Sequence, residues 1–283
     1  MNKKYLILDC NYLCHRAKHT TGDLTYDGNA TGIIYSLLRS LSGYQDLFDT
    51  SDFVFCFDSK TSKRKEIYPE YKASREREYT QEEIEYDRTF RKQIKKLRTT
   101  YLPMIGFRNI FIQKGYESDD LMAEICLHIK PDDEAIIITS DKDLYQCISG
   151  NVFCYNPQTN KRMTLQRFKK EYEILPELWS LVKAIAGCST DNIKGIEGIG
   201  EKRATQYINL QLKSESKVYK SIKSKAGYKI INRNLKLVAL PMEGTQGCKL
   251  RRDKLSESGW KEVCKLLGMK SIKNRMPFGK GRR

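Results

Sequence analysis

Short apolar runs alternate with longer amphipathic segments along the first half of the chain. Four runs have the length of a β-strand and lie at residues 4–9, 52–58, 108–113 and 134–141. Between them, residues 30–44 and 117–129 place apolar side chains every three or four positions, which is the spacing of an amphipathic helix. Strands that alternate with helices indicate a parallel sheet covered on both faces. We therefore predict an α/β fold for this half.

Two later segments depart from this pattern. Residues 60–100 are almost all polar and carry many charges of both signs. The second half is interpreted as a solvated helix with pairs of opposite charge. The first half is basic with Tyr68 and Tyr71 interleaved, which suits contact with phosphates and bases. Beyond about residue 160 the pattern becomes helical, and residues 193–204, IKGIEGIGEKRA, combine two glycine turns with a helix start. The last residues, 269–283, are basic, and we expect them to be disordered in the free protein.

The net charge of +16 comes entirely from the end of the chain. All 283 residues together hold 51 Lys and Arg against 35 Asp and Glu. Residues 1–200 hold 29 of each kind, whereas residues 201–283 hold 22 basic and 6 acidic residues. Such a basic region favours a polyanionic partner, with nucleic acid before a membrane surface.

Several classes of protein are disfavoured by the composition. No apolar run approaches the ~20 residues that span a bilayer, and the opening MNKKYLILDC is not typical of a signal peptide. The nine Cys include no C-x-x-C pair, and there are three His. This composition argues against a disulfide framework or a zinc site. We expect reduced thiols in the cytoplasm of a bacterial or phage-infected cell.

Acidic residues stand where the predicted strands end. Asp9, Asp58 and Asp141 each close a strand-like run. Ligands bind at the carboxyl ends of the strands in a parallel sheet, so these three side chains are expected to converge. Four further acids are predicted at the same edge: Asp143, Glu117, Asp119 and Asp120.

Seven carboxylates at one edge would be unfavourable without cations. Two carboxylates ~4 Å apart repel by about 4 kcal/mol at an effective dielectric constant of ~20. A single Asp is readily explained as a helix cap or a solvated turn, but a group of seven is not. Oxygen ligands select hard cations such as Mg²⁺ or Mn²⁺, and a pair of such ions suits in-line displacement at phosphorus. The sequence therefore predicts a metal-dependent phosphodiesterase that acts on nucleic acid.

Six motifs in a fixed order carry a resemblance to a known family. They are ILDCNYLCHRA, FCFDSK, PEYKASR, YESDDLMAE, TSDKDLYQ and DNIKGIEGIGEKRA. The set resembles the 5′→3′ exonuclease and flap endonuclease family, which includes the 5′-nuclease domain of bacterial DNA polymerase I and free-standing phage 5′ exonucleases such as phage ribonuclease H. The resemblance covers residues 4–210.

The resemblance implies a mainly parallel, PIN-like central sheet with a helical arch at about residues 60–100. An all-helical domain of the helix-hairpin-helix type would follow. We therefore divide the chain into a nuclease domain at 1–180, a helical DNA-binding domain at 181–268 with its hairpin at 193–204, and a basic tail at 269–283.

The resemblance also implies roles for individual residues. The acids of a first metal site would be Asp9, Asp58, Glu117, Asp119 and Asp120. Those of a second metal site would be Asp141, Asp143 and Asp191. Lys72 and Arg75 would form the basic pair that reaches the scissile phosphate. The expected DNA-binding residues are Arg16, near the unpaired end of the substrate, with Tyr71, Gly198, Gly200, Lys202 and Arg203.

Two positions depart from the family pattern. Cys188 stands where the family usually has an Asp, and a thiol is a poor ligand for Mg²⁺. Either the second metal site is weakened or Cys188 is a small buried residue. His15 stands where an aromatic residue is common, and both a stacking role and a plain surface position are open.

The expected function is that of a structure-specific 5′ nuclease of DNA replication or repair. Its substrates would be DNA with a 5′ flap, overhang or nick, or an RNA–DNA hybrid. Its cofactors would be two Mg²⁺ ions, with Mn²⁺ as a substitute, and K⁺ at the hairpin. We expect a monomer, with replication proteins as further partners. The alternatives are a PIN-type ribonuclease, a catalytically weak structure-specific DNA-binding protein, and a scaffold role carried by residues 211–283.

Overall fold

A six-stranded sheet forms the centre of the protein in a computed structural model that describes residues 2–75 and 77–278. The strands are β1 (Lys4–Asp9), β2 (Thr25–Tyr26), β3 (Asn29–Ala30), β4 (Asp52–Cys56), β5 (Ile110–Phe111), β6 (Glu134–Ile138), β7 (Val152–Asn156), β8 (Lys161–Met163), β9 (Gly187–Cys188) and β10 (Ile193–Lys194). The order in the main sheet is β5-β4-β1-β6-β7-β8. All its neighbouring strands run parallel except β7 and β8.

Twelve α-helices connect and cover these strands in the described part of the chain. They are α1 (Cys10–Lys18), α2 (Gly32–Phe48), α3 (Lys63–Ile67), α4 (Gln81–Lys96), α5 (Leu102–Ile105), α6 (Ser118–Leu127), α7 (Leu165–Tyr172), α8 (Trp179–Ala186), α9 (Glu201–Ile208), α10 (Lys217–Lys223), α11 (Lys225–Val238) and α12 (Glu257–Leu266). A π-helical turn at Leu97–Tyr101 joins α4 to α5. None of the described helices is long and apolar enough to cross a membrane.

The mainly parallel sheet that the sequence predicts is confirmed, with shorter strands. β4 ends at Cys56 and β6 ends at Ile138, so the acids Asp58 and Asp141 lie in the loops just after their strands. The antiparallel edge formed by β7 and β8 was not predicted. These strands of five and three residues lie where the periodicity changes to a helical one, and β8 begins with two exposed basic residues.

Two apolar cores lie on opposite faces of the sheet. One core joins side chains of β1 and β4 to helices α1, α2, α5 and α12. The other joins the opposite side chains of the same strands to α6, α7, α8 and α11. Successive side chains of a strand point to opposite faces, which is why β1 supplies both cores. Burial on both faces also explains why its sequence is continuously apolar.

The polar segment 60–100 contains a solvated helix in its second half. α4 begins with a capping box in which Thr80 and Glu83 satisfy each other's backbone N–H groups. Most of its side chains are exposed, and Phe90 is one of its two buried residues. The solvated-helix interpretation is therefore confirmed for this half.

Residues 269–278, near the end of the chain, are packed rather than disordered. Trp260 of α12 is fully buried, and its Nε1 donates hydrogen bonds to the carbonyl oxygens of Ile272 and Lys273 at 3.2 and 3.1 Å. Met269 is also buried, and Phe278 packs on the Trp260 ring with the centroids 6.2 Å apart. The expectation of disorder is wrong for residues 269–278, because apolar side chains lie between the basic ones. Residues 279–283 of the predicted tail lie outside the described residues.

Candidate metal centre and catalytic cleft

Asp9 lies at the centre of an acidic cleft at the carboxyl end of β1. It caps α1 by accepting a hydrogen bond from the Tyr12 N–H at 3.0 Å. The hydroxyl groups of Ser118 and Thr139 donate to its two oxygens at 3.4 and 3.3 Å. Burial and then the negative charge of Asp58 raise the pKa of Asp9. The carboxylate is thus held rigidly but is poorly compensated by positive charge.

Asp58 and Asp119 lie beside it. The Asp58 Oδ1 atom accepts from the Ser118 N–H at 2.7 Å, and the Asp58 N–H donates to Asn11 Oδ1 at 3.1 Å. Burial, followed by the charge of Asp141, raises the pKa of Asp119 well above its usual range. Such mutual repulsion is relieved when a cation binds between the groups.

Asp141 connects this group of acids to a second one. Its N–H donates to Thr139 Oγ1 at 3.1 Å, and its Oδ1 accepts from the Asp143 N–H at 2.8 Å. Burial and the charges of Asp143 and Asp191 raise the pKa of Asp141. The acids that follow β6 therefore adjoin both halves of the cleft.

Basic and phenolic groups from the segment after α3 contact the other acids. Lys72 Nζ donates to Glu117 Oε2 at 2.8 Å, and Arg75 donates to Asp191 Oδ1 at 2.8 Å. The Tyr71 hydroxyl donates to Glu117 at 3.0 Å and lies 3.3 Å from Asp191 Oδ2. Burial opposes the charge on Lys72, but Glu117 and Asp191 outweigh it and raise its pKa. The predicted basic pair is therefore in the cleft.

Asp143, Cys188 and Asp191 form a compact second group. One ligand atom from each lies within 4.8 Å of the others. Lys183 is buried and bridges Asp143 Oδ1 and Glu201 Oε1, at 2.9 Å each. Burial and then the charge of Asp143 raise the pKa of the Cys188 thiol. The structure places a sulfur atom where two carboxylates already meet.

Asp120 is the one predicted metal ligand that is directed away from the cleft. Both of its oxygens accept hydrogen bonds from the Arg64 guanidinium at 2.7 Å. They also accept from the backbone N–H groups of Met242 and Glu117, at 2.9 and 3.1 Å. The Asp120 side chain is fully buried. Its lone pairs are committed to these donors, so its assignment as a metal ligand is corrected to a structural ion pair.

Arg16 and Tyr71, two of the predicted DNA-binding residues, differ in their exposure to solvent. Arg16 is exposed on α1 and lines a groove of about 250 Å³ together with Arg39. Tyr71 is only 2% exposed, so its ring has no free face for a base. His15 packs against Phe90 of α4, with the ring centroids 4.6 Å apart and the ring planes tilted by 42°. The aromatic contact at His15 is thus made within the chain.

Gly198 and Gly200 of the predicted hairpin differ in whether their backbone conformation favours glycine. Gly198 has a φ of +72°, which favours glycine. Gly200 caps α9 with a negative φ, and a Cβ there would meet no atom within 4 Å. Lys202 and Arg203 are exposed in the first turn of α9. The fold itself therefore explains Gly198 but not Gly200.

Four polar residues of the cleft were not predicted as site residues. They are Arg64, Ser118, Thr139 and Lys183. Ser118 and Thr139 stand next to predicted acids in ESDD and TSD, and Lys183 is an isolated charge in the apolar helix LVKAIAG. These signals are present in the sequence, but each also fits an ordinary surface position. Arg64 carries no signal, because it lies among three other basic residues in KTSKRK.

The cleft has room and donors for a divalent cation. A cavity of about 20 Å³ is lined by Tyr71, Glu117, Asp119, Asp143 and Asp191. That volume is sufficient for one small ion or water molecule. Mg²⁺ and Mn²⁺ prefer oxygen donors such as carboxylates. Around this cavity, the pKa values of Asp119 and Asp191 are raised. The residues present therefore fit the cations that the sequence implies.

Comparison with known proteins identifies the family. The model of the 5′-3′ exonuclease N-terminal resolvase-like domain matches residues 4–173. A 5′-3′ exonuclease of Mycoplasmopsis pulmonis is 30% identical, over 79% of this chain and 71% of that protein. The thermostable DNA polymerase I of Thermus aquaticus is also 30% identical, over 72% of this chain but only 24% of the polymerase.

Solved structures agree with this result. The bacteriophage T5 D15 flap endonuclease, in a complex with DNA and metal ions, has a TM-score of 0.70 and 25% identity, over 84% of this chain and 90% of that one. Flap endonuclease-1 from Methanococcus jannaschii shares the fold, with a TM-score of 0.58 and 13% identity over 97% and 90% of the two chains. Fold and cleft thus define a hydrolytic nuclease of the structure-specific 5′ type, as predicted. The chain belongs to the 5′-3′ exonuclease family.

Proposed function

We propose that this nuclease trims 5′ ends on duplexes, with a 5′ flap, overhang, nick or RNA primer on DNA as its substrate. The observation that carries the proposal is the contact of Lys72 and Arg75 with acids of the cleft, at 2.8 Å each. Phosphodiester oxygens need cationic partners, and here those partners lie directly against the carboxylates that would hold metal ions.

The cofactors we propose are two Mg²⁺ ions, for which Mn²⁺ can substitute. Asp9, Asp58, Glu117 and Asp119 would surround the first ion. Asp143 and Asp191 would hold the second, and Asp141 lies between the two groups. Bound cations would supply charge neutralisation and a water of lowered pKa. Ser118 and Thr139 keep Asp9 oriented by donating to its oxygens.

Lys72 is positioned to stabilise charge on the reacting phosphate. Its backbone has a φ of +56°, and its N–H donates to the Asp191 carbonyl oxygen at 2.9 Å. This unusual conformation directs its side chain back to Glu117. On substrate binding, Nζ would exchange the Glu117 oxygen for a phosphate oxygen, and Arg75 would do the same from Asp191. Donors that are already in place stabilise a transition state without reorganisation.

The helical part of the chain would hold the duplex. We propose that residues 181–268 contribute a helix-hairpin-helix grip, in which α8 precedes the hairpin 193–204, α9 begins within it, and K⁺ binds there. The open space at Gly200 would let a phosphate approach the N-terminus of α9, flanked by Lys202 and Arg203. The segment at 60–100 would act as the arch over the 5′ end, and Arg16 would contact the unpaired strand.

Digestion of four labelled substrates tests the proposal. A 5′-flap duplex, a nicked duplex, an RNA–DNA hybrid and a single strand would be incubated with Mg²⁺, Mn²⁺ or EDTA. We expect cleavage near the 5′ end of the duplexed substrates with either cation and none in EDTA. Tight flap binding without cleavage would favour the weak DNA-binding alternative. Cleavage restricted to single-stranded RNA would favour a PIN-type ribonuclease.

The cellular setting belongs to the same proposal. We place the reaction in the cytoplasm of a bacterial or phage-infected cell, where a monomer would work beside replication proteins. Sedimentation of the purified protein with and without flap DNA would test the monomer directly.

A further inference from the structure

Cys188 lies at the position proposed for the second cation, beside Asp143 and Asp191. Its backbone is fixed in β9, which pairs with Ile193 of β10, and its side chain is 9% exposed. The polar neighbours of the sulfur are the Thr190 hydroxyl at 3.0 Å and Asp143 Oδ2 at 4.0 Å. The sulfur is thus directed at the carboxylates rather than only into the apolar core.

We propose that Asp143, Cys188 and Asp191 form a mixed thiolate–carboxylate site that takes a thiophilic divalent cation, Zn²⁺, in preference to Mg²⁺. Thiolates bind Zn²⁺ and Co²⁺ well, whereas Mg²⁺ requires oxygen ligands. The inference rests on the proposed placement of the second cation, and it concerns which ion that place holds when Zn²⁺ competes with the Mg²⁺ proposed above.

The geometry is close to that of a zinc site. A Zn–S bond of about 2.3 Å and Zn–O bonds of about 2.0–2.2 Å at tetrahedral angles put ligand atoms roughly 3.4–3.7 Å apart. The ligand atoms here lie within 4.8 Å of one another, and the sulfur is 4.0 Å from Asp143 Oδ2. Shifts of less than about 1 Å would therefore close the site around an ion, with water as the fourth ligand.

Basic residues contact one oxygen of each carboxylate in the site, and a metal would bind the other. Lys183 occupies Asp143 Oδ1 and leaves Oδ2, the oxygen nearest the sulfur, for a metal. Arg75 occupies Asp191 Oδ1, and Tyr71 lies 3.3 Å from Oδ2. Because a bound metal removes the thiol proton, Zn²⁺ binding should release a proton and weaken at low pH.

Cobalt spectroscopy tests the proposal, because a thiolate bound to Co²⁺ gives a near-ultraviolet charge-transfer band. We expect this band in the wild type, its removal by Zn²⁺, and its persistence in excess Mg²⁺. Cys188→Ser should abolish the Cys188-dependent band and weaken Zn²⁺ binding by at least about tenfold. Cys248→Ser is the matched control, since Cys248 is a half-buried thiol outside the cleft, and it should leave the band unchanged.

Cys188→Asp provides a second variant that keeps a metal ligand. It should bind Co²⁺ without the thiolate band and bind Mg²⁺ more tightly than the wild type. A band that survives in both Cys188 variants, or a wild type with no band, would overturn the proposal. Flap cleavage in Mg²⁺ is measured on the same preparations, so that loss of nuclease function and loss of the thiolate site are recorded separately.

Discussion

Two isosteric substitutions in the acidic region should differ in their effect on stability. Asp120→Asn removes a charge that both oxygens share with Arg64, at 2.7 Å and in a pair that is 3% and 0% exposed. Asp141→Asn removes a charge whose pKa is raised by burial and by Asp143. The first charge is compensated in the folded protein, whereas the second is repelled by its neighbours.

The magnitude for Asp120→Asn follows from the buried pair. Removing Asp120 leaves the buried Arg64 guanidinium with the more distant Glu117 Oε2, at 4.0 Å, as an acidic partner, and breaking such a buried pair costs about 3–5 kcal/mol. This is a large part of the ~5–15 kcal/mol that stabilises a typical protein. At roughly 2–4 °C per kcal/mol, the melting temperature should fall by about 6–20 °C. For Asp141→Asn we expect an unchanged or higher melting temperature, because repulsion is relieved.

Thermal melts in EDTA, followed by circular dichroism, measure both effects without bound metal. Repeating them in Mg²⁺ adds a second comparison, since Asp141→Asn should gain less stability from Mg²⁺ than the wild type. Equal losses of stability for the two variants would refute the division into a structural and a metal-binding carboxylate. So would an Asp120→Asn variant that melts like the wild type.

Three further predictions follow from the cleft, the hairpin and the end of the chain. Lys72→Ala should raise the activation free energy of single-turnover cleavage by about 2.7–4 kcal/mol, with little change in DNA affinity. A defect in binding alone would contradict its role. Gly195→Ala should destabilise the hairpin in thermal melts, because a Cβ would lie 2.2 Å from the last carbonyl of α8. Gly200→Ala should fold normally, because its Cβ would meet no atom within 4 Å, but it should bind duplex DNA more weakly in gel shifts. Deleting residues 279–283 removes three basic charges and should make the salt dependence of log affinity shallower by up to ~0.9 per phosphate contact; an unchanged slope would mean that they do not touch DNA.

The sequence predicts the sheet well because a strand that is buried on both faces has a continuously apolar sequence. β1 is continuously apolar and ends at Asp9, and the structure has the same bounds as the prediction. The C-terminal segment is different, since Met269 and Phe278 are separated by basic residues that dominate its composition. Only the contact with Trp260 shows that these apolar side chains are buried. Charge counts therefore conceal a core whose members lie far apart in sequence.

The position of the acids was easier to predict from the sequence than the contacts of each group. Spacing and strand ends brought Asp9, Asp58 and Asp141 to one edge. They could not distinguish Asp119 from Asp120, which are adjacent in sequence. α6 directs one into the cleft and the other to Arg64, a partner 56 residues earlier. Such pairings are set by tertiary packing and leave no local pattern.

The central claim is that the carboxylates at the sheet edge hold the cations that hydrolysis requires. Single-turnover cleavage of a labelled 5′-flap duplex across a Mg²⁺ titration, with the wild type and Asp119→Asn, tests this claim most directly. Asp119 is chosen because four acids of the cleft contribute to raising its pKa. The account predicts Mg²⁺-dependent cleavage near the 5′ end, and a variant that folds and binds the flap but needs more Mg²⁺ and cleaves at least about tenfold more slowly. Cleavage by the wild type in EDTA, or wild-type rates for Asp119→Asn, would contradict it.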